Sequence, residues 1–415
     1  MPPPTLDAVR RGVGRLARAR RTYAVLAGLL PGCFVVGPAA SNAAPGGSGG
    51  AGVAPSPQIL ETRCVAAKGR RCIDSHWVEP GATIVVRGRF LKNVNAILFY
   101  GHPGRGDDVS AAARPRGATQ VTTSVPPKAL NGPLAAVTAA GVRSKKWNGL
   151  VIDEPGQAPP LPKQNGAQPA IGTGVSAPRK IFYGGLRKAA FAYRVASSGA
   201  VDVSVNLVRV ADGAVVRRWQ NPQVAPGATQ RVVWDGTAGG KVQPEGYYAF
   251  QATVPSASGS VSTRTSAEKD SFAFYDHMFP VRGKHDYGSS GARFGSGRSG
   301  HSHQGQDVFA SCGTPLLAAR AGKVVYRGYH TAAGYYIVIA GSGTAQDYVY
   351  MHLREAAIVK QGERVYTGQQ IGAVGESGNA HGCHLHFELW SAPGWYKGGR
   401  PFDPLPELQR WDRAS

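Results

Sequence analysis

Several features are missing from this 415-residue sequence, and each absence excludes something. Beyond residue 44 no stretch has the length and apolarity needed to cross a membrane as a helix. There is no HExxH pair, which rules out a zinc site built on one helix with a glutamate as base. No run of about ten residues keeps a helical period, so long helices are not expected and the chain reads as all-β. Negative charge is scarce, with 25 Asp and Glu against 47 Lys and Arg, a net charge of +22. The basic residues are scattered and form no run interleaved with aromatics, so their field is diffuse and nucleic acid is not the expected partner. What is present is ordinary globular material, 42% apolar and 17% charged. Its length suits roughly two to four domains, and its 56 glycines and 30 prolines favour turns, linkers and short strands.

In chain order, residues 1–44 read as an export signal. Six arginines between Arg10 and Arg21 precede the apolar run from Tyr23 to Val36, and small residues follow through Ala44. Residues 45–58 are a Gly/Ser/Pro linker. Residues 59–152 form a first β module. Its Pro80–Leu91 stretch and its Val94–Tyr100 stretch read as strands around a glycine turn, and it resembles an IPT/TIG-type immunoglobulin-like sandwich. Residues 153–179 are a proline-rich linker. In 180–255 the alternating Val201–Leu207 stretch, Trp234-Asp235-Gly236 and Pro244-Glu245-Gly246-Tyr247 resemble the immunoglobulin-like domain of flagellar hook-capping proteins, with Trp234 as a core anchor. Residues 256–271 are a last polar linker, and 272–415 form the final domain.

That final domain holds the chemistry, since nine of the eleven histidines lie at or after His277. In His384-Leu385-His386-Phe387-Glu388-Leu389-Trp390 the apolar residues alternate with His384, His386 and Glu388. As a strand, this puts both imidazoles on one face; as a helix, the rings would diverge. His303 and Asp307 are four apart, and the glycine-rich stretch before them suits a loop running into a short strand that carries Asp307. Together with His386 they offer two nitrogens and an oxygen, a set that leaves the fourth position of a tetrahedral zinc open, as catalytic sites do. His301, six residues from Asp307, competes with His303 for the ligand position, and His303 is preferred. Glu388 either orients a ligand from behind or is a plain surface carboxylate. His277, His285, His330 and His381 read as surface or cleft-lining residues.

The order of motifs carries a resemblance. His303-Gln304-Gly305-Gln306-Asp307, Gly313-Thr314-Pro315, Tyr350-Met351-His352-Leu353, Gly375-Glu376-Ser377-Gly378 and His384-Leu385-His386-Phe387-Glu388 resemble the lysostaphin/LytM type of zinc metalloendopeptidase over about Phe279–Pro404. The resemblance implies an antiparallel-sheet domain with His303, Asp307 and His386 as zinc ligands and His352 and His384 as the catalytic pair. It further implies hydrolysis of peptidoglycan stem or cross-bridge peptides by a zinc-activated water. With Cys33 lost in the signal, four cysteines remain, an even number for an oxidising compartment. Cys383 precedes His384 and Cys312 follows Asp307 by five, so Cys312–Cys383 is expected to tie the two halves of the site together. Cys64–Cys72 is expected to staple a loop.

The expected protein is thus a secreted or wall-associated enzyme whose partners are peptidoglycan and anionic wall polymers. Two other classes stand beside it. One is a catalytically silent or latent relative that serves as a scaffold or activator of other wall hydrolases, with Asp276, His277 or His285 as candidates for blocking the metal. The other is a wall-binding protein whose β modules carry the function.

Overall fold

In the strand His384–Trp390 every residue is buried, on both faces, and its two neighbours explain why. In the computed structural model it pairs antiparallel with Gln306–Ala310 on one side and Asp347–Leu353 on the other. The sheet runs in the order His285–Asp286, Gln306–Ala310, His384–Trp390, Asp347–Leu353, Gly334–Gly341, Gly322–His330, Arg364–Val365, and the short Pro401–Phe402 also pairs with His384–Trp390. The structure describes residues 55–65, 72, 76–101, 106–152, 159–164, 168–175, 179–256, 259–262, 271–298 and 300–415. The expected signal, 1–44, and most of the expected linker 45–58 lie outside the described residues.

Alternation sorts the two faces of this sheet. Leu385, Phe387 and Leu389 join Val308, Ile337, Ile339, Tyr348 and Tyr350 in the main core. The other face carries His384, His386 and Glu388, followed by a smaller apolar cluster in which Val338, Val349 and Trp390 are buried with Tyr326, Tyr336, Met351 and Trp395 packed on them. One face therefore supplies stability and the other presents side chains.

The main core is closed by a helix, Leu405–Ala414, which corrects the expectation that no ten-residue helix would form. Its buried residues are only Leu408, Trp411 and Ala414, a stripe one residue wide between charged neighbours, and Pro404 and Pro406 at its start hide the period further. Trp411 stacks on His277, with ring centres 4.4 Å apart, and meets Phe387 edge-on. His277 is accordingly buried rather than at the surface, and its Nε2 meets the Tyr348 hydroxyl at 2.7 Å.

Upstream, two modules are each built of two sheets around one core. In the first, Gln58–Cys64, Thr83–Arg89 and Gln120–Ser124 belong to one sheet, and Val94–Phe99, Val109–Ala112 and Leu134–Thr138 form the other. Ile84, Val86 and Val121 from one sheet share a cluster with Ile97, Phe99 and Leu134 from the other. In the second, Ala170–Val175, Ala189–Ala196 and Gln230–Trp234 form one sheet, and a larger sheet is centred on Val201–Arg209 and Gly246–Ser256. This module uses more chain than expected. Ala170–Val175 lies in the stretch 153–179 and Gly259–Ser262 in the stretch 256–271, both read as linkers. Phe272–Tyr275, placed with the final domain, pairs with Lys180–Phe182 and Gly246–Ser256 instead. These short strands are edge or return segments with too few alternating residues to announce themselves.

The modules grip the final domain through segments that carry none of its site histidines. The Thr367 hydroxyl donates to Tyr183 O at 2.5 Å and accepts from Ala321 N, and the Arg320 guanidinium sits 4.7 Å over the Tyr183 ring. Arg410 of the C-terminal helix pairs with Glu245. From the first module, His76 meets the Tyr366 ring at 5.3 Å and Arg89 reaches Glu355 at 3.7 Å. Both sulfur pairs are bonded, Cys64–Cys72 with Cα atoms 5.8 Å apart and Cys312–Cys383 with 5.3 Å.

Trp234 is fully buried, packs on Tyr248, Phe272 and Phe274, and donates its indole N–H to Thr237 O at 2.8 Å. Trp234→Ala is expected to destabilise the second module by about 3–5 kcal/mol, read from a urea unfolding curve.

Candidate metal centre

Register brings the first two groups together. Asp307 on Gln306–Ala310 lies directly across from His386 on His384–Trp390, and the Asp307 Oδ1 to His386 Nδ1 distance is 2.9 Å. His303 comes from the loop before the strand, which is pinned by backbone bonds from His303 N to Ser296 O and from Gly295 N to His303 O, both 2.8 Å. Its Nε2 lies 2.9 Å from His386 Nδ1 and 3.1 Å from Asp307 Oδ1. Gly305 is needed between them, because a Cβ there would lie 2.4 Å from Phe387 O and 2.8 Å from His386 Nε2.

The outer ring atoms fix the protonation of the inner ones. His303 Nδ1 lies 2.8 Å from Arg293 O, and a carbonyl only accepts, so Nδ1 carries the proton and a neutral ring leaves Nε2 bare. His386 Nε2 meets Glu388 Oε1 at 3.0 Å, which leaves Nδ1 bare in the same way. Glu388 Oε2 accepts the Trp390 indole N–H at 2.6 Å, so this carboxylate is held from behind. Glu388 is buried, and of its two readings the geometry matches the one that orients a ligand.

Three ligand atoms thus converge, and whenever both rings are neutral their electron pairs face one another, a repulsion that either a proton on His386 Nδ1 or a metal cation relieves. The donor set, two imidazole nitrogens and a carboxylate oxygen, fits zinc. The charges respond in the same sense. Burial disfavours a charge on His386, yet its bonds to Asp307 and Glu388 outweigh burial and bring the ring up to about 9. Asp307, against its own burial, is held well below the usual carboxylate range by His303 and His386. Arg298, unremarked in the sequence, reaches Asp307 Oδ2 at 3.4 Å.

His352 and His384 flank the trio. Their rings are 4.8 Å apart, His352 is 6.0 Å from the His386 ring, and His384 Nε2 is 3.7 Å from Asp307 Oδ1. Each donates from Nδ1 to a backbone carbonyl, His352 to Ser377 O at 2.8 Å and His384 to Gly382 O at 2.9 Å, so each has a bare Nε2. Burial pushes His352 down to about 4 and lowers His384 as well, which keeps both rings neutral at pH 7. His352 holds φ at +59°, the left-handed region that a non-glycine residue occupies only at a cost. All five residues singled out from the sequence therefore meet in one place. The carbonyls of Arg293, Ser377 and Gly382 were invisible in it, since every residue carries one. Trp390 was visible, sharing the period of His384, His386 and Glu388.

Other candidates go elsewhere. His301, His330 and His381 are exposed. His285 bonds Asp412 at 3.0 Å, and Asp276 bonds His277 and Arg320, so the three residues weighed for blocking the metal are engaged away from it. Glu245, Asp276 and His277 bring ligand atoms together too, but Arg320 and Arg410 already neutralise them. Cys312, Glu376 and Cys383 do likewise, but the sulfurs are spent on each other.

The support behind His386 can be tested directly. Glu388→Gln is expected to weaken zinc binding by about 10- to 100-fold, measured by competition with a chromogenic chelator.

Residues 301–404 match the family model described as Peptidase family M23. The chain is 40% identical over 109 residues to the peptidoglycan DD-endopeptidase ShyC of Vibrio cholerae, a match covering 26% of this chain and 24% of that protein. It is 32% identical over 149 residues to the L-Ala--D-Glu endopeptidase of Bacillus subtilis, covering 33% of this chain and 44% of that protein. The chain thus spans less than half the length of either curated relative. Among solved structures it is similar to the catalytic domain of the antimicrobial peptidase lysostaphin from Staphylococcus simulans, with 33% identity, 30% of this chain and 92% of that chain covered, and a TM-score of 0.26. The C-terminal part of this chain is a LytM/M23 peptidase domain.

Proposed function

We propose that the protein is a zinc metalloendopeptidase that hydrolyses peptide bonds in peptidoglycan stem or cross-bridge peptides outside the cytoplasm. The observation that carries this reading is the meeting of His303 Nε2, Asp307 Oδ1 and His386 Nδ1 beside two neutral imidazoles. The relatives' names add the substrate class: one is called a DD-endopeptidase and another an L-Ala--D-Glu endopeptidase. Their named bonds differ while the reaction, amide hydrolysis, is shared. The two bonded disulfides favour an oxidising compartment. The upstream modules, each two sheets on one core, support the immunoglobulin-like reading and hold the peptidase as a body rather than on a free tether.

His303, Asp307 and His386 would hold the zinc, which when bound supplies Lewis-acid chemistry, acidifying water and polarising the scissile carbonyl. Proton movement falls to His352 and His384. A bare Nε2 on either ring can take a proton from the attacking water. Once protonated, that nitrogen becomes a donor, able to hold the developing oxyanion or to pass the proton to the leaving amine. The carbonyls of Ser377 and Gly382 keep each Nδ1 proton in place, so Nε2 is the atom that exchanges. A catalytically silent scaffold would have no use for this set, and all five residues are present and convergent.

The deciding experiment is release of new amino groups from purified peptidoglycan by the protein as isolated, after chelation, and after zinc is restored. Release that stops with chelation and returns with zinc is the expected result; release indifferent to chelation would refute the metal mechanism. His384→Ala and His352→Ala are each expected to lower kcat by about 10²- to 10⁴-fold with zinc still bound. His386→Ala is expected to lose the metal as well, as read by elemental analysis.

A further inference from the structure

The face of the sheet that carries the metal ligands does not end at Trp390. Past it the chain makes a tight loop, Ser391–Arg400, anchored by Trp395 N–H to Asp347 Oδ2 at 2.9 Å and by Gly394 N–H to Ser391 O at 3.0 Å. The loop lays Trp395 against Tyr326 and Tyr336, at ring distances of 5.3 and 5.6 Å, and Tyr396 against Trp390 at 5.0 Å. Tyr396 is 44% exposed, and its hydroxyl reaches Gln304 Oε1 at 3.3 Å, one residue from His303. The aromatic surface is therefore continuous with the rim of the metal site.

Tyr396 is held at φ +48°, a conformation suited to glycine or asparagine and costly for an aromatic residue. A large ring kept half-exposed at a strained position, beside a site, is better explained by what it touches than by what it packs. The loop brings two cations, Lys397, already seated 5.5 Å over the Tyr326 ring, and Arg400 at its far end. A polyanion would call for a cluster of cations. One exposed ring, Tyr396, backed by the partly buried Trp395, Tyr326 and Tyr336, suits instead a neutral sugar, whose axial C–H faces stack on aromatics and whose equatorial groups hydrogen-bond at the rim.

We infer that Trp395, Tyr396, Tyr326 and Tyr336 form a docking platform for the glycan strand, a chain of β-linked N-acetylated amino sugars, to which the cleaved peptide is attached. The inference rests on the peptidase reading above and names which part of the substrate is gripped. It makes Tyr396 a positioning residue: the sugar is held on its ring, and the attached peptide is led past Gln304 to the metal.

The test uses the full-length protein, two substrates with the same scissile bond, one glycan-linked and one a bare peptide, and chitotetraose as a non-cleavable sugar probe. Tyr396→Gly removes the ring while suiting the backbone, so it is expected to fold. Wild type should prefer the glycan-linked substrate in KM by about tenfold, which corresponds to ~1.4 kcal/mol, and Tyr396→Gly should bring that ratio close to one. Wild type should bind chitotetraose with a change in tryptophan fluorescence that the variant lacks. A wild type without preference and without sugar binding would overturn the platform and leave the peptidase standing. Sugar binding without cleavage of either substrate would do the reverse. Equal losses by the variant on both substrates, with zinc lost, would show that Tyr396 serves only to brace Trp390 and Glu388. A bare peptide that competes with chitotetraose for the aromatic surface would make it a peptide subsite and overturn the sugar assignment.

Discussion

Everything at the metal centre depends on an electrostatic conflict: three ligand atoms, from His303, Asp307 and His386, are held within hydrogen-bond distance of one another, and their electron pairs oppose once His386 gives up its proton. Such a cluster survives folding only because its members are fixed from outside. Arg293 O and Glu388 hold the far nitrogens of the two rings, and strand pairing holds Asp307 across from His386. The unfavourable contact is thereby stored in the protein and relieved by a cation. The same logic extends to the flanking pair, whose carbonyl partners choose the tautomer before any substrate arrives.

The parts of this design that obey a period were legible in the sequence. The alternation in His384–Trp390 showed both the strand and the shared face of its histidines, because a pleated strand fixes side-chain direction every second residue. The glycine-rich stretch before His303 pointed to a loop entering a strand at Asp307. What could not be read were backbone acceptors and long-range partners. Arg293 O, Ser377 O and Gly382 O have no residue signature, and Arg298 beside Asp307 is one arginine among many. The helix Leu405–Ala414 escaped because only Leu408, Trp411 and Ala414 mark its buried side. The strands at 170–175 and 259–262 were too short or too polar to be separated from linkers, and 272–275 read as the start of the final domain, although the second module's sheets need all three.

The arrangement of the modules bears on how the peptidase domain is presented. Contacts through Thr367, Arg320, Arg410 and Tyr366 fasten both modules to segments remote in sequence from the histidines. Surface ion pairs such as Arg89–Glu355 contribute little on their own. The buried Thr367 hydroxyl and the stacked rings carry more of the attachment, since they remove both polar and aromatic surface from water. The charge carried by the two modules and the peptidase domain therefore belongs to one body and acts as a common field rather than as a separate arm.

The left-handed backbone at His352 bears on the choice of side chain there. Glycine or asparagine at that position would relax the chain, but it would also vacate a buried place beside His384 and take the ring N–H away from Ser377 O. The strained backbone and the fixed Nδ1 proton thus come as one choice of side chain: the conformation that costs energy is the one that leaves a bare Nε2 standing beside the ligand cluster.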